Sequence, residues 1–219
     1  MSEPTVLVVH NEVDEVYDYH PETLASYFPD RRECDFPAGE RPSLEGIDGV
    51  VLSGSTAGVY ERDAEPWIDE QAALVRDLVE RRIPTLGVCF GHQLANAALG
   101  GRVEHVGMTH RLVATDLAAD PLFDGVDPVV PAVHGDVVRE PGAAMDVIAS
   151  TDYCTPFATR HREAPLWTVQ FHPEFTAELI ERIAADFGWT ETEYTAGDVT
   201  ASRVLSNFRS LLRDTAQDE

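Results

Sequence analysis

The sequence predicts an α/β fold: an open, mostly parallel sheet flanked by helices, with an antiparallel β extension. Three observations lead there. Short, largely apolar runs recur at Val6–Val9, Gly49–Leu52 and Pro84–Val88, a length and composition that suit central parallel strands. Segments with helical periodicity separate them, and strands alternating with helices at this spacing build parallel sheets with right-handed crossovers. After Gly100-Gly101 the texture changes to brief β-rich runs with turns between them.

Val6–Val9 is the first strand. Asn11 to Tyr19 is polar and acidic, a loop or helix entry near the edge of any site, and Pro21–Tyr27 suits a helix. Gly49–Leu52 is the second strand and ends at a Gly54-Ser55 turn. Pro66–Arg82 carries the strongest helical pattern, with Trp67, Ile68, Ala72, Leu74, Val75, Leu78 and Val79 recurring at helical spacing. Pro84–Val88 is the third strand, and a helical run follows from Gln93 to Leu99. Arg111–Thr115, Val129–Val133, Val137-Val138 and Val147-Ile148 form the antiparallel extension; Leu166–Phe171 is a further buried strand, and Thr176–Phe187 a closing helix. Residues 1–190 read as one domain. Residues 191–219 read as a C-terminal helical extension docked on it through Val199, Val204, Leu205, Phe208, Leu211 and Leu212; a helix kept for a partner is the alternative.

The chemistry concentrates in two places. Thr85 to Ala95 runs from a strand through Gly87-Val88-Cys89-Phe90-Gly91 into a helix, the pattern of a nucleophile elbow that presents one side chain at the top of a sheet. Side chains at the two glycines would crowd such a turn. Cys89 then sits at a helix N-terminus, where backbone N–H groups and the helix dipole favour the thiolate. The second place is His172-Pro173-Glu174, directly after the strand at 166–171. A thiol needs a base near neutral pH, and an imidazole needs a carboxylate to fix its tautomer. Proline keeps the preceding residue extended, so His172 and Glu174, two apart, point to one side. Cys89, His172 and Glu174 are read as a catalytic triad.

On these residues the chain resembles the class I, triad-type glutamine amidotransferases. The matching pieces are Leu52-Ser53-Gly54-Ser55, Gly87 to Gln93, and Gln170 to Glu174, in the family's order and over about residues 5–187. It is most similar to GMP-synthase-like members, where a Gly-Ser turn is likewise followed by Tyr60 and Pro66-Trp67-Ile68, and a His134-Gly135-Asp136 element precedes the catalytic strand. The resemblance implies a flavodoxin-like sheet. It also implies attack of Cys89 on the side-chain amide of glutamine, with hydrolysis of a γ-glutamyl thioester. The oxyanion would be met by the Phe90 amide and by one at the Gly54-Ser55 turn. Many relatives carry Gly-Gly-Pro or Gly-Pro-Gly at that turn, and Gly54-Ser55-Thr56 here leaves open which residue donates. Gln93 matches the position that helps hold the substrate, and His134, Gly135 and Asp136 join the binding set.

The charge sets the environment more than the chemistry. Thirty-nine acids oppose 16 bases for a net charge of −23, and every base is arginine. So acidic a surface disfavours nucleic acid and anionic membranes as partners. The acids are spread between apolar segments rather than gathered in one block, so a folded, salt-adapted protein is expected instead of a disordered one. At molar salt the Debye length falls to about 3 Å and self-repulsion is screened. No apolar run approaches membrane-spanning length and no signal segment is evident. Cys34, Cys89 and Cys154 form no paired framework, which fits a reducing cytoplasm and leaves no metal site. No cofactor is expected; His92 is read as an ordinary residue, and so are His105 and His110, which flank a loop-like stretch.

Three functions stay open on the sequence. The first is glutamine hydrolysis that supplies ammonia to a separate synthetase, since no phosphate-binding P-loop occurs in the chain. The second keeps the chemistry and changes the substrate, as a stand-alone hydrolase of γ-glutamyl peptides or amides. The third is a non-catalytic module on the same scaffold.

Overall fold

The computed structural model describes residues 3–215. Its main sheet has eight strands in the order β2-β1-β3-β4-β10-β9-β8-β6. β1 (Val6–His10), β2 (Arg31–Asp35), β3 (Gly49–Leu52), β4 (Thr85–Val88) and β10 (Leu166–Val169) run parallel. β9 (Ala158–His161), β8 (Met145–Ser150) and β6 (Asp116–Leu117) continue the sheet as an antiparallel wing. The remaining strands, β5 (Arg102–Ala114) and β7 (Val129–Glu140), form a separate antiparallel ribbon. The expected extension therefore exists in two parts.

β1, β3, β4 and β10 are largely apolar because both faces are covered. One face packs on Leu24, Ala25 and Phe28 and on the last helix, and the other on Ile68, Val75, Leu78 and Leu94. Helix α1 (Tyr19–Ser26) begins two residues before the expected start, and α2 (Trp67–Glu80) and α4 (Ala177–Phe187) fall almost where the periodicity places them. Helix α3 (Phe90–Ala98) starts directly after Cys89. Helix α5 (Arg203–Thr215) buries Val204, Leu205, Phe208 and Leu212 in the same core as Val6 and Trp167. A Cβ on Gly49 would lie 2.7 Å from Leu212, so the helix sits hard against β3. The last four residues of the 191–219 segment lie outside the described residues.

Several expectations need correction. Val129–Val133 and Val137-Val138 belong to one strand, so His134-Gly135-Asp136 lies within β7 rather than between strands. His105 and His110 do not flank a loop; both are in β5, either side of a register shift between His105 and Thr109. β2 and β9 carry no readable signal: β2 is an exposed, charged edge strand, and β9 is only four residues long.

Candidate active site

β4 and β10 are neighbours with Val88 opposite Val169, so residues just past their C-terminal ends share one place. Open α/β sheets bind ligands there. Cys89 follows β4 with φ 50° and ψ −103°, a backbone that ordinary residues adopt only under strain. Its N–H donates to the Val169 carbonyl at 2.9 Å. The two elbow glycines are sterically required: a Cβ on Gly87 would lie 2.6 Å from the Gly91 carbonyl oxygen, and one on Gly91 would lie 2.5 Å from that of Leu52.

His172 is buried and lies beside Cys89. Its Nδ1 is 2.7 Å from Glu174 Oε1, and its Nε2 is 3.2 Å from the Val133 carbonyl, which Cys89 Sγ also approaches at 3.7 Å. Glu174 reaches the imidazole through a turn closed by Phe175 N–H to His172 O at 3.3 Å, not through the extended alternation expected from the sequence. Phe175 stacks on the ring at 4.2 Å. Burial alone would lower the basicity of His172. The Glu174 carboxylate and the Cys89 side chain beside it outweigh that and hold His172 well above the usual histidine range. Charge separation between a thiol and an imidazole is what nucleophilic attack by sulfur needs.

The remaining expected residues converge on the same place. Phe90 opens α3, so its N–H has no acceptor within the helix, and its side chain is buried against Trp67. Gln93 Nε2 donates to the Asp136 carbonyl at 3.1 Å and to Gln170 Oε1 at 3.3 Å. His134 is bonded through its ring nitrogens to Asp136 O and to the Tyr153 hydroxyl, both at 3.0 Å, and burial pushes it down to about 4. Asp136 Oδ1 accepts from His105 Nδ1 at 2.8 Å and from the Tyr60 hydroxyl at 3.2 Å. Gly135 is pressed between Met108 and His105, with Cβ distances of 2.9 and 3.1 Å. Ser55, Gln93, His134, Gly135 and Asp136 line a cleft of about 560 Å³ that contains Cys89 and His172. Gly54 stands behind it, and a Cβ there would touch His172 Cε1 at 3.1 Å.

Two further residues enter that the sequence did not single out. Glu12 is nine-tenths buried and accepts from the Thr56 N–H at 3.1 Å and from the Thr56 hydroxyl, tying the turn after β3 to the loop after β1. His20 meets His172 and Phe175 edge-on at 6.0 and 4.9 Å, and burial pushes it down to about 3, leaving it neutral. Nothing in a lone Glu of a polar loop, or in a lone His at the start of a helix, marks these roles. His92 is fully buried against Thr168 Oγ1 at 2.7 Å, an ordinary packed histidine. Among the described residues no cluster of His, Cys, Asp and Glu is fit to hold a metal, and no helix is long and apolar enough to cross a membrane.

Residues 17–189 match the family described as glutamine amidotransferase class-I, and the chain belongs to that family. A glutamine-hydrolyzing GMP synthase of Pyrobaculum aerophilum is 36% identical over 137 residues, which is 61% of this chain and 25% of that protein. One subunit of the glutamine-hydrolyzing GMP synthase of Methanopyrus kandleri is 35% identical over 138 residues, 59% of this chain and 68% of that subunit. The chain thus aligns to about a quarter of the length of relatives such as the first. Among solved structures, a glutamine amidotransferase from Thermotoga maritima superposes with a TM-score of 0.74 over 98% of both chains at 21% identity. A glutamine amidotransferase from Methylobacillus flagellatus superposes at 0.71 over 97% of this chain and 94% of the other at 17% identity. Family membership makes the chain a glutamine amidotransferase by enzyme class.

Proposed function

We propose that this protein hydrolyses the side-chain amide of glutamine through Cys89, His172 and Glu174 and delivers the ammonia to a separate synthetase. The name of its Methanopyrus relative, one subunit of a GMP synthase, supports the second half of that reading. The observation that carries the first half is the arrangement of the three groups, with His172 held at 2.7 Å by Glu174 and placed beside a strained Cys89. The Cys89 thiolate attacks the amide carbon. His172 gives its proton to the nitrogen, the C–N bond breaks, and ammonia leaves. His172 then takes a proton from water, whose hydroxyl breaks the C–S bond of the γ-glutamyl thioester and releases glutamate.

The oxyanion is met by the Phe90 amide and by one at the 54–55 turn, because preorganised backbone donors supply most such stabilisation. The Thr56 amide is committed to Glu12, which narrows the second donor to Gly54 or Ser55. Gln93, His134, Gly135 and Asp136 hold the glutamate portion of the substrate. The free, buried thiols of Cys34 and Cys154 fit a reducing compartment such as the cytoplasm. The acidic surface suits high salt, and a melting temperature insensitive to KCl would refute that.

The test is release of glutamate and ammonia from glutamine in molar-range KCl, with Cys89→Ala as the blank. Turnover confined to the wild type supports the proposal; equal turnover by Cys89→Ala ends it.

A further inference from the structure

The cleft around Cys89 is built for more than the carboxamide it attacks. A volume of about 560 Å³ lies within the range of pockets that enclose whole drug-sized ligands, and free glutamine fills only part of it. Its wall carries the carboxylates of Glu12, Glu61, Asp136 and Asp186, and none of the described residues lining it is an arginine. Glu12 is spent on Thr56 and its own loop. Asp136, whose Oδ1 accepts from Tyr60 and His105, is assigned above to the glutamate portion. That leaves Glu61 and Asp186, each engaged through a single oxygen: Glu61 Oε2 accepts from Gly58 N–H at 2.7 Å, and Asp186 Oδ2 accepts from the Tyr19 hydroxyl at 2.6 Å. Among the described residues no hydrogen-bond donor reaches their second oxygens.

Aromatic faces stand beside these acids. Tyr17 stacks on Phe187 at 4.7 Å next to Asp186, and Tyr60, half-exposed, leans across Gly58 beside Glu61. Asp186 and Phe187 also end α4, where the helix dipole presents its negative pole. Carboxylates, aromatic rings and a helix C-terminus around one volume are the chemistry that holds an ammonium group. The cationic partners nearby do not cancel it. His172 is paired with the Glu174 carboxylate at 2.7 Å, His20 and His134 are kept neutral by burial, and His105 is bound to Asp136. Arg182 lies over the Tyr19 ring and comes no nearer than 3.9 Å to Asp186, on the oxygen already bonded to Tyr19.

We propose that this cleft selects γ-glutamyl amides by the charge of the amine they release, accepting amides of cationic amines alongside glutamine and rejecting those whose leaving group carries a carboxylate. The proposal rests on the amide-hydrolase reading above and decides between its two substrate classes, against γ-glutamyl peptides. The step is the same: Cys89 displaces the amine, the leaving nitrogen takes its proton from His172, and water releases glutamate from the thioester.

Three amides of similar size test it: γ-glutamyl-ethylenediamine with a terminal ammonium, neutral γ-glutamyl-propylamine, and γ-glutamylglycine with a carboxylate. At the lowest KCl that keeps the protein folded, kcat/KM should favour the cationic amide over the anionic one by about tenfold or more, since like charges are costly to bring together in a site. Glu61→Gln and Asp186→Asn should each shrink that ratio, whereas Glu163→Gln, on a remote turn, should not. Equal turnover of the three, preference for γ-glutamylglycine, or a ratio that Glu163→Gln shifts as strongly would overturn the proposal. Calorimetric binding of the same three amides to Cys89→Ala reads the preference without turnover. If the wild type hydrolyses none of them and not glutamine, the hydrolase reading fails; binding in the same order still supports charge selection, and binding of none overturns it.

Discussion

Gly54→Ala isolates one contact at the centre of the site. Gly54 does not occupy the left-handed region, so alanine there meets no backbone strain; the whole cost is the new methyl group. That methyl would stand 3.1 Å from His172 Cε1 and 3.5 Å from Cys89 Cβ, against a preferred carbon separation of about 3.5–4.0 Å. The ring must give by several tenths of an ångström. It has little room, because Phe175 stacks on it at 4.2 Å and Glu174 holds Nδ1 at 2.7 Å. Displacing a catalytic group by about 1 Å can cost about a hundredfold in rate, so a shift of several tenths should lower kcat about tenfold or more. Overpacking should cost about 1–3 kcal/mol of stability. Steady-state glutaminase kinetics beside urea denaturation measure both. Wild-type kcat in a protein that folds normally would refute the idea that His172 is held by this close packing.

Cys89→Gly should melt above Cys89→Ala, although both are inactive, because glycine relieves a strained backbone worth about 1–3 kcal/mol; thermal melts of the two proteins check it. Glu12→Ala leaves the Thr56 amide and hydroxyl without their acceptor, and should lose about 1–3 kcal/mol in chemical denaturation together with part of kcat. His172 has its folded value raised, so its stabilising protonation is complete below the unfolded value of about 6.5 and is lost as pH rises through the raised one. Glu174→Gln removes a carboxylate that raises it, and melts across the alkaline range should show the loss beginning at lower pH. The sign reverses for His20, His92 and His134, pushed down to about 3, 3 and 4: their contribution is full above about 6.5 and falls away as acid protonates the unfolded chain.

The parallel half of the fold was legible because β1, β3 and β4 are buried almost throughout and are therefore built almost entirely of apolar residues. The elbow was legible because Gly87 and Gly91 have no room for a side chain. The ribbon of β5 and β7 was not, since much of β5 is exposed and a register shift at His105–Thr109 breaks its alternation. For the same reason His105 and His110 read as ordinary residues, yet with Met108 they line the cleft. Glu174 lies against His172 through a turn and not through the extended alternation read from the sequence: the turn at Pro173 brings the carboxylate back onto the ring. Glu12 and His20 reach the site through residues far from them in sequence, Thr56 and His172, and no local pattern encodes such contacts.

The most direct test of the mechanism is rapid-quench mass spectrometry of the protein mixed with glutamine. A γ-glutamyl adduct on the peptide carrying Cys89, rising before glutamate accumulates steadily and absent from Cys89→Ala, is the expected result. Glutamate formed at the wild-type rate by Cys89→Ala, or an adduct on Cys34 or Cys154 instead, would contradict it.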